Sequence, residues 1–384
     1  MKKDKKILIL VNYLSFFLSH RLPIGEALLA KGFKVFIGYG ELRGANPKLL
    51  EQKGFNVEFV PMQPAGLNLL KELETFYRIW ILLKKIEPDI VHLVTIKPYL
   101  YGGIISRLIG IRGLVSAVSG LGTLFVKKDF KSKLIRFFIY PLYKIAFNHS
   151  NQKVILQNKD DLEILMNWGV LNLSKTKLLK GSGVKLESFK NFDEPGGIIT
   201  ICFAARLLRD KGVYEYISAA RLLKERGIKA RFLLAGDLDE NNPSGLSLDD
   251  LNKVKVEGYV EFIGYHKDIS KLYAKSHIIC LPSYREGFPK SLIEAAAANR
   301  AVITTDVPGC RDAIIPNETG LLVPVKDSQK LADALQWLIE NPQKRISMGA
   351  AGRKLAEEEF PIEKIVIDHL NIYQDLLSNT LKSN

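Results

Sequence analysis

The chain has 384 residues, 47% of them hydrophobic and 25% charged. That is too long for one ordinary core and too apolar for a disordered or fibrous chain, and it suits two globular domains. The net charge of +14 is unevenly spread: residues 1–190 hold 30 Lys and Arg against 14 Asp and Glu, and the remainder 25 against 27. A basic half beside a nearly neutral one points to a polyanionic partner, either nucleic acid or an anionic membrane surface. Cys202, Cys280 and Cys310 are scattered, odd in number and set in apolar contexts without metal spacing. They read as reduced core residues of a cytosolic protein and exclude a disulfide scaffold. No stretch reaches about 18 uncharged apolar residues, so no spanning helix is expected. Residues 102–126 come nearest, but Arg107 and Arg112 interrupt them.

In chain order, "KKDKK" followed by "ILILVNYLSFFLS" mimics a signal peptide. Asn12 and Tyr13 break the run, however, and a helix pattern, Gly32 and "KVFIGYG" follow, which is the start of an α/β domain. Strands are expected at 6–11, 34–39, 56–61, 89–94, 113–118 and 153–158, with helical patterns between them. The alternation restarts at 198–205 and continues at 230–236, 260–264, 278–283, 301–306 and 320–325. Near-continuous apolar strands separated by helices indicate parallel sheets covered on both faces. The expected organisation is two doubly wound domains, 1–190 and 191–360, joined near "NFDEPGG" (191–197). A helical tail at 361–384 would pack back toward the first. Ligands of such sheets bind beyond the carboxyl ends of the strands, which places the active site in a cleft between the two domains.

Two stretches carry candidate chemistry. "RLLRDKG" (206–212) follows the first strand of the second domain, where Arg206 and Lys211 could grip a diphosphate or simply line a solvated loop. "REGFPKSLIEAAAANR" (285–300) places Pro289 at the first position of a helix. The N–H groups of Lys290 and Ser291 would then attract an anion near Phe288–Ser291. Glu294, in the second helical turn, reads as a ribose clamp, and Glu286, outside the helix, lies nearer the chemistry. "DLD" (237–239) matches an Asp-x-Asp metal motif, but it opens a polar loop after a second-domain strand, and no metal is expected.

Arg206, Lys211, the Glu286-x7-Glu294 spacing and "VITTDVPGCRDAI" (302–314) together resemble the retaining glycosyltransferases of family 4, whose GT-B fold has two facing Rossmann-like domains. The resemblance runs through essentially the whole chain. It implies that Arg206 and Lys211 bind the donor diphosphate, that Glu294 holds the ribose, that Glu286 lies by the donor sugar, and that Gly264 and Tyr265 line the base. "FFLSHRLPIGEALLAKG" (16–32), "SGLGTLF" (119–125) and "YPLYKIAFNHSNQKVILQN" (140–158) are similar to the PglA-type branch. That branch moves N-acetylhexosamine from a UDP-sugar to an undecaprenyl-diphosphate-linked saccharide, and the same signatures occur in O-antigen and capsule assembly. The acceptor side would be Asn12, Phe17, His20, Arg21, Ser119 and Gly120. His20 reads equally as an acceptor contact or as a loop anchor. Where many relatives carry Thr-x-His-Gly, this chain has "AVSG", with Ser119 in the histidine's place, so no histidine acts there.

The resemblance implies metal-independent transfer with retention, the departing UDP being stabilised by Arg206, Lys211 and the helix start. No cofactor beyond the UDP-sugar co-substrate is implied. "FVKKDFKSKLIRFFIYPLYKIAF" (125–147) sets Lys127, Lys128, Lys131, Lys133 and Arg136 beside a run of aromatics. It reads either as an interfacial segment on anionic lipid or as a basic helix whose aromatics enter the core. The expectation is a peripheral enzyme on the cytoplasmic face of the bacterial inner membrane. The alternatives are a UDP-sugar epimerase of related fold, a transferase using another hexose donor, and a nucleic-acid-binding protein, which would leave the Glu286/Glu294 pattern unexplained.

Overall fold

The computed structural model describes residues 5–62, 68–122, 125, 129–190, 193–239, 242 and 244–379. The chain forms two compact units, one of Met1–Ser182 with Glu363–Asn384 and the other of Gly183–Ile362.

The first unit carries β1 (Lys6–Tyr13), β2 (Lys34–Glu41), β3 (Asn56–Phe59), β4 (Ile90–Val94), β5 (Gly113–Val118), β6 (Gln152–Leu156) and β7 (Thr176–Leu178). All pair in parallel, in the order β3-β2-β1-β4-β5-β6-β7. Successive side chains of a strand point to opposite faces, so unbroken apolar runs feed two cores. Leu8, Leu10, Val91, Leu93 and Leu114 enter one core, beneath α4 (Leu69–Ile86), α5 (Gly103–Leu108) and α6 (Phe130–Ala146). Ile7, Ile9, Val11, Ile90 and Val115 enter the other, beneath α1 (Leu14–His20), α2 (Leu22–Ala30) and the last helix of the chain. α3 (Pro47–Glu51) and α7 (Lys159–Asn167) complete the unit. Asn68 and Asn158 cap α4 and α7 with their side-chain oxygens.

The second unit carries β8 (Thr200–Ala204), β9 (Arg231–Ala235), β10 (Glu261–Gly264), β11 (Ile278–Leu281), β12 (Ala301–Thr305) and β13 (Gly320–Val323), in the order β10-β9-β8-β11-β12-β13. Its helices are α8 (Val213–Glu225), α9 (Leu248–Glu257), α10 (Ile269–Ala274), α11 (Lys290–Ala297), α12 (Ser328–Glu340) and α13 (Pro342–Glu359). Both units are Rossmann-like, as the strand pattern requires. Every expected strand is present, with ends shifted by at most two residues. β7 is additional: three residues at the sheet edge, mostly exposed, give no apolar run to read.

The division falls earlier than the expected join. Residues 183–190 are tied to α13 and the residues just after it: Val184 N donates to Phe360 O (2.8 Å), Ile362 N to Val184 O (3.0 Å) and Arg353 Nη1 to Phe189 O (2.6 Å). Beyond them Glu194 takes a two-pronged hydrogen bond from buried Arg345 (2.7 and 2.8 Å). Asn191 and Phe192 lie outside the described residues.

From Glu363 onward the chain belongs to the first unit, as α14 (Ile362–Asn379). Its contacts there are polar as well as apolar. Tyr373 Oη and His92 Nδ1 of β4 are 2.6 Å apart, the His92 and His369 rings stack at 5.6 Å, and Asn151 Nδ2 donates to Leu376 O (2.8 Å). Arg21 is buried beside them. Burial, aided by the Arg21 charge, pushes His369 down to about 3, and burial with the His369 and Arg21 charges holds His92 well below its ordinary range. Both histidines are therefore neutral in the native state.

The unfolded chain binds protons on these histidines below about pH 6.5 and the native state does not, so stability is full above that pH and is lost as pH falls toward about 3. The loss approaches about 1.4 kcal/mol per pH unit for each histidine kept neutral. His369→Gln should flatten the decline of Tm between neutral pH and pH 4.5 in thermal melts; a slope as steep as that of the unsubstituted protein would refute this origin.

Candidate active site

In the second sheet the strand order reverses at β8, which lies between β9 and β11. Loops leaving the carboxyl ends of strands at such a point diverge and open a crevice, the usual ligand site of open parallel sheets. Arg206 and Lys211 leave β8 into it, and Glu286 and Glu294 follow β11.

Two glycines let the loops lie flush. Gly212, at φ 77°, links the turn Arg209–Lys211 to α8, and a Cβ there would fall 2.0 Å from Pro282 O. Gly309, at φ 79° after β12, would set a Cβ 2.5 Å from Gly287 O and 2.6 Å from Glu286 O. Only glycine combines positive φ with such approach. Hydrogen bonds then lock the loops: Tyr284 N and Ser283 Oγ donate to Asp210 O (2.8 and 3.0 Å), Thr305 Oγ1 donates to Ser283 O, and Glu286 N donates to Pro308 O (3.3 Å).

This scaffold sets three cations against three carboxylates. Lys211 Nζ donates to Glu286 Oε1, joining the β8 and β11 loops. Arg206 Nη1 donates to Asp239 Oδ2 at 2.9 Å, joining the β8 and β9 loops. Lys290 Nζ lies 3.3 Å from Glu294 Oε1 one turn along α11. Burial raises the Glu294 carboxyl above its usual range, and the Lys290 ammonium opposes the shift. The Cys310 thiol is pushed up to about 12, by burial first and the Glu286 carboxylate second, so it stays protonated and packs as an apolar group. Cys202 and Cys280 are buried as well.

The remaining donor-side residues are placed as follows. Pro289 is extended (φ −71°, ψ 121°) and caps α11, which begins at Lys290; the sequence placed Pro289 inside the helix. The shift by one residue reflects the fixed φ of proline, which suits cap and first turn alike. Lys290 and Ser291 open the helix and Phe288 is buried, its ring centroid 5.6 Å from that of Phe360. Gly264, at φ 68°, ends β10 and accepts from Gly236 N (2.9 Å), and Tyr265 beside it is exposed. Asp239 of the Asp-x-Asp run is 8% exposed and turned to Arg206. Among the described residues no group of three or more His, Cys, Asp or Glu side chains is placed to hold a metal ion. Its pairing with Arg206 carries no sequence signal other than the aspartate itself.

In the first unit, Asn12 is next to last in β1, with Oδ1 buried and unpartnered among the described residues. Ser119 and Gly120 follow β5 at the same edge of the sheet, and Leu121 N donates to buried Asp161 (3.3 Å). Phe17 and Arg21 are both buried. They lie one helical turn apart and share the inward face: Phe17 packs on Phe55 at 5.6 Å, and Arg21, 2% exposed, has its pKa lowered to about 10 by burial. The family-like stretch around them is packed inward at these two positions. His20, the last residue of α1, stacks on Phe16 (centroids 4.2 Å) with Nδ1 2.7 Å from Ser19 Oγ.

α6 divides its aromatics. Tyr143 is buried and Tyr140 packs on Trp168, whereas Phe130, Phe137 and Phe138 are 80%, 74% and 66% exposed. Lys133 is exposed and Arg136 half-buried. Lys131 lies in the helix, its side chain outside the described residues, as are Lys127 and Lys128 altogether. No helix among the described residues is long and apolar enough to cross a membrane.

Two family models match, "Glycosyl transferases group 1" over residues 184–355 and "Glycosyl transferase 4-like" over residues 6–158. Over 94% of its length the chain is 29% identical to N,N'-diacetylbacillosaminyl-diphospho-undecaprenol alpha-1,3-N-acetylgalactosaminyltransferase of Campylobacter jejuni, covering 99% of that protein. It is 24% identical to UDP-Gal:alpha-D-GlcNAc-diphosphoundecaprenol alpha-1,3-galactosyltransferase of Escherichia coli, covering 84% of each chain. The solved structure of HepE from Anabaena in complex with UDP and glucose superposes with a TM-score of 0.72 at 21% identity, over 99% of this chain and 100% of that one. With both units matched, the chain belongs to the family-4 glycosyltransferases of GT-B fold, of the PglA type.

Proposed function

We propose that the protein transfers a hexosamine, an N-acetylhexosamine in the first instance, from a UDP-sugar to an undecaprenyl-diphosphate-linked or other lipid-linked saccharide. Such a transfer belongs to bacterial glycan assembly, for N-glycan, O-antigen or capsule. The observation that carries this reading is the pair of fixed cations, Arg206 and Lys211, after the carboxyl end of β8 beside the Glu286-x7-Glu294 helix start. Relatives whose names give undecaprenyl-diphosphate-linked substrates over most of both chains support it.

The bond that breaks joins the anomeric carbon to the UDP phosphate oxygen, and negative charge grows on that oxygen. Arg206 and Lys211 meet it with donors held in place beforehand, aided by the N–H groups at the start of α11. Glu294, nearly buried one turn into the helix, accepts from the ribose hydroxyls. Glu286 holds Lys211 and faces the donor sugar. The acceptor hydroxyl attacks from the side the phosphate leaves, passing its proton to the phosphate oxygen, so configuration is retained without a separate protein base. Asn12, Ser119 and Gly120 line the acceptor side, with His20 at its margin. Positive charge from side chains and helix takes the place a metal holds elsewhere.

The lipid-linked acceptor calls for an anionic membrane surface, and the proposed location is the cytoplasmic face of the inner membrane. α6 supports this: it has no acidic residue between 130 and 146 and turns three phenylalanines outward beside its cations. α4, on the same face of the sheet, adds exposed Leu69, Leu70, Leu73 and Tyr77.

Arg206→Ala and Lys211→Ala should each lower kcat by about 100-fold or more, because each removes one fixed charge at the developing phosphate. Wild-type turnover in either would overturn the diphosphate assignment. Activity should persist in EDTA, and its loss would argue for a metal. Incubation with UDP-sugar alone should leave the sugar unconverted, whereas conversion would indicate an epimerase. In vesicle flotation, Phe137→Asp with Phe138→Asp should abolish binding to phosphatidylglycerol vesicles while turnover of a short-chain soluble acceptor persists. Unchanged binding would remove α6 from the membrane contact.

A further inference from the structure

The Asp-x-Asp run at residues 237–239 has no task in the transfer as described, yet the structure builds a good deal around it. The loop after β9 lies along the loop after β8. Leu207 N donates to Asp237 O (3.0 Å), Arg209 N to Ser244 O (2.7 Å) and Leu246 N to Leu207 O (2.9 Å), and Leu208 pairs with Gly245 as an antiparallel bridge. Asp239 is fixed at its backbone too: its carbonyl accepts from Asn242 N (2.9 Å), and a Cβ at Gly245 would fall 2.3 Å from that oxygen.

The two side chains of the Arg206–Asp239 pair differ in setting. That of Asp239 is 8% exposed and that of Arg206 47%. A carboxylate this far out of water is costly unless a cation answers it, and Arg206 Nη1 does so at 2.9 Å. The guanidinium, gripped through one nitrogen, keeps much of its remaining surface open to solvent. Its rigid fork has five donors, so fixing one of them fixes the direction of the rest. An ungripped arginine at the surface would have to be ordered each time a ligand arrives.

We infer that Asp239 is a positioning residue for Arg206, holding one guanidinium nitrogen so that the remaining N–H groups are aimed in advance at the donor diphosphate. This rests on the assignment of Arg206 to that diphosphate. The aspartate touches neither sugar nor phosphate and acts through the arginine.

The test measures UDP affinity by calorimetry, with steady-state kinetics on whichever UDP-sugar supports turnover, using the full chain. Asp239→Ala should raise the Kd for UDP and the donor KM about tenfold, with a smaller fall in kcat, since misplacing a binding group costs on that scale or more. Asp239→Asn, which keeps an acceptor oxygen, should recover most of the loss. The Arg206→Ala/Asp239→Ala double variant should bind UDP no more weakly than Arg206→Ala, because the second change has nothing left to position. Additive losses would overturn the inference. So would wild-type affinity in Asp239→Ala alongside weakened binding in Arg206→Ala, which leaves the diphosphate assignment standing. Wild-type affinity in both would overturn the assignment and the inference together. UDP binding that depends on added Mn2+ and loses this dependence in Asp239→Ala would make the run a metal site and overturn the positioning role. Should Asp239→Ala fail to fold, Asp239→Glu displaces the carboxylate by one methylene and should weaken UDP binding; wild-type affinity there overturns the inference equally.

Discussion

A site built to receive a diphosphate must hold positive charge in place while no diphosphate is there. Two cations left loose at a strand end would be hydrated, mobile and costly to order at binding; two cations crowded together would repel. The second unit answers both problems by giving each cation a carboxylate that is less exposed than itself. Asp239 and Glu286 are the more buried partners of Arg206 and Lys211, at 8% against 47% and 11% against 20%. Since the cost of drawing these carboxylates out of water offsets much of their attraction to the cations, the value of the pairs lies in direction rather than in stability. In the proposed transfer an incoming diphosphate would meet donors already aimed, with the Arg206 guanidinium still half open to solvent.

Such pairing is possible only because the sheet is parallel. All carboxyl ends of β8, β9, β11 and β12 lie at one edge, so residues far apart in sequence become neighbours there. The contacts that hold them are mostly backbone, and two of them require glycine. Gly212 and Gly309 allow loops to touch at distances that any Cβ would forbid, and what they bring together is Lys211 and Glu286. The chemistry of the edge thus depends on residues that have no chemistry of their own.

Much of this was legible in the sequence, and the part that was not has a common cause. Long apolar runs announce buried parallel strands, so β1 through β6 and β8 through β13 could be read, while β7, short and exposed, could not. The Glu286-x7-Glu294 spacing around Pro289 gave away a helix start and its two carboxylates because those residues are close in the chain. Pairings across loops left no such trace. Nothing in "GDLDENN" tells that Asp239 faces Arg206, since the decisive contact runs between segments more than thirty residues apart. At Phe17 and Arg21 a family-like pattern is compatible with a site and with an inward helix face alike, since spacing by one helical turn fits both, and the structure buries the two side chains.

The same reasoning bears on α14. A helix that crosses from one unit to the other could be held by apolar contact alone, yet it carries His369 and Tyr373 into the first unit beside His92 and Arg21, with no carboxylate in direct contact with that arginine in the hydrogen bonds described there. Burying a guanidinium beside two neutral imidazoles is electrostatically poor, and it lowers the arginine's own proton affinity. Polar groups so placed fit in only one register, whereas an apolar stripe can slide by a turn at little cost. The cluster therefore exchanges some stability for a unique seating of the helix.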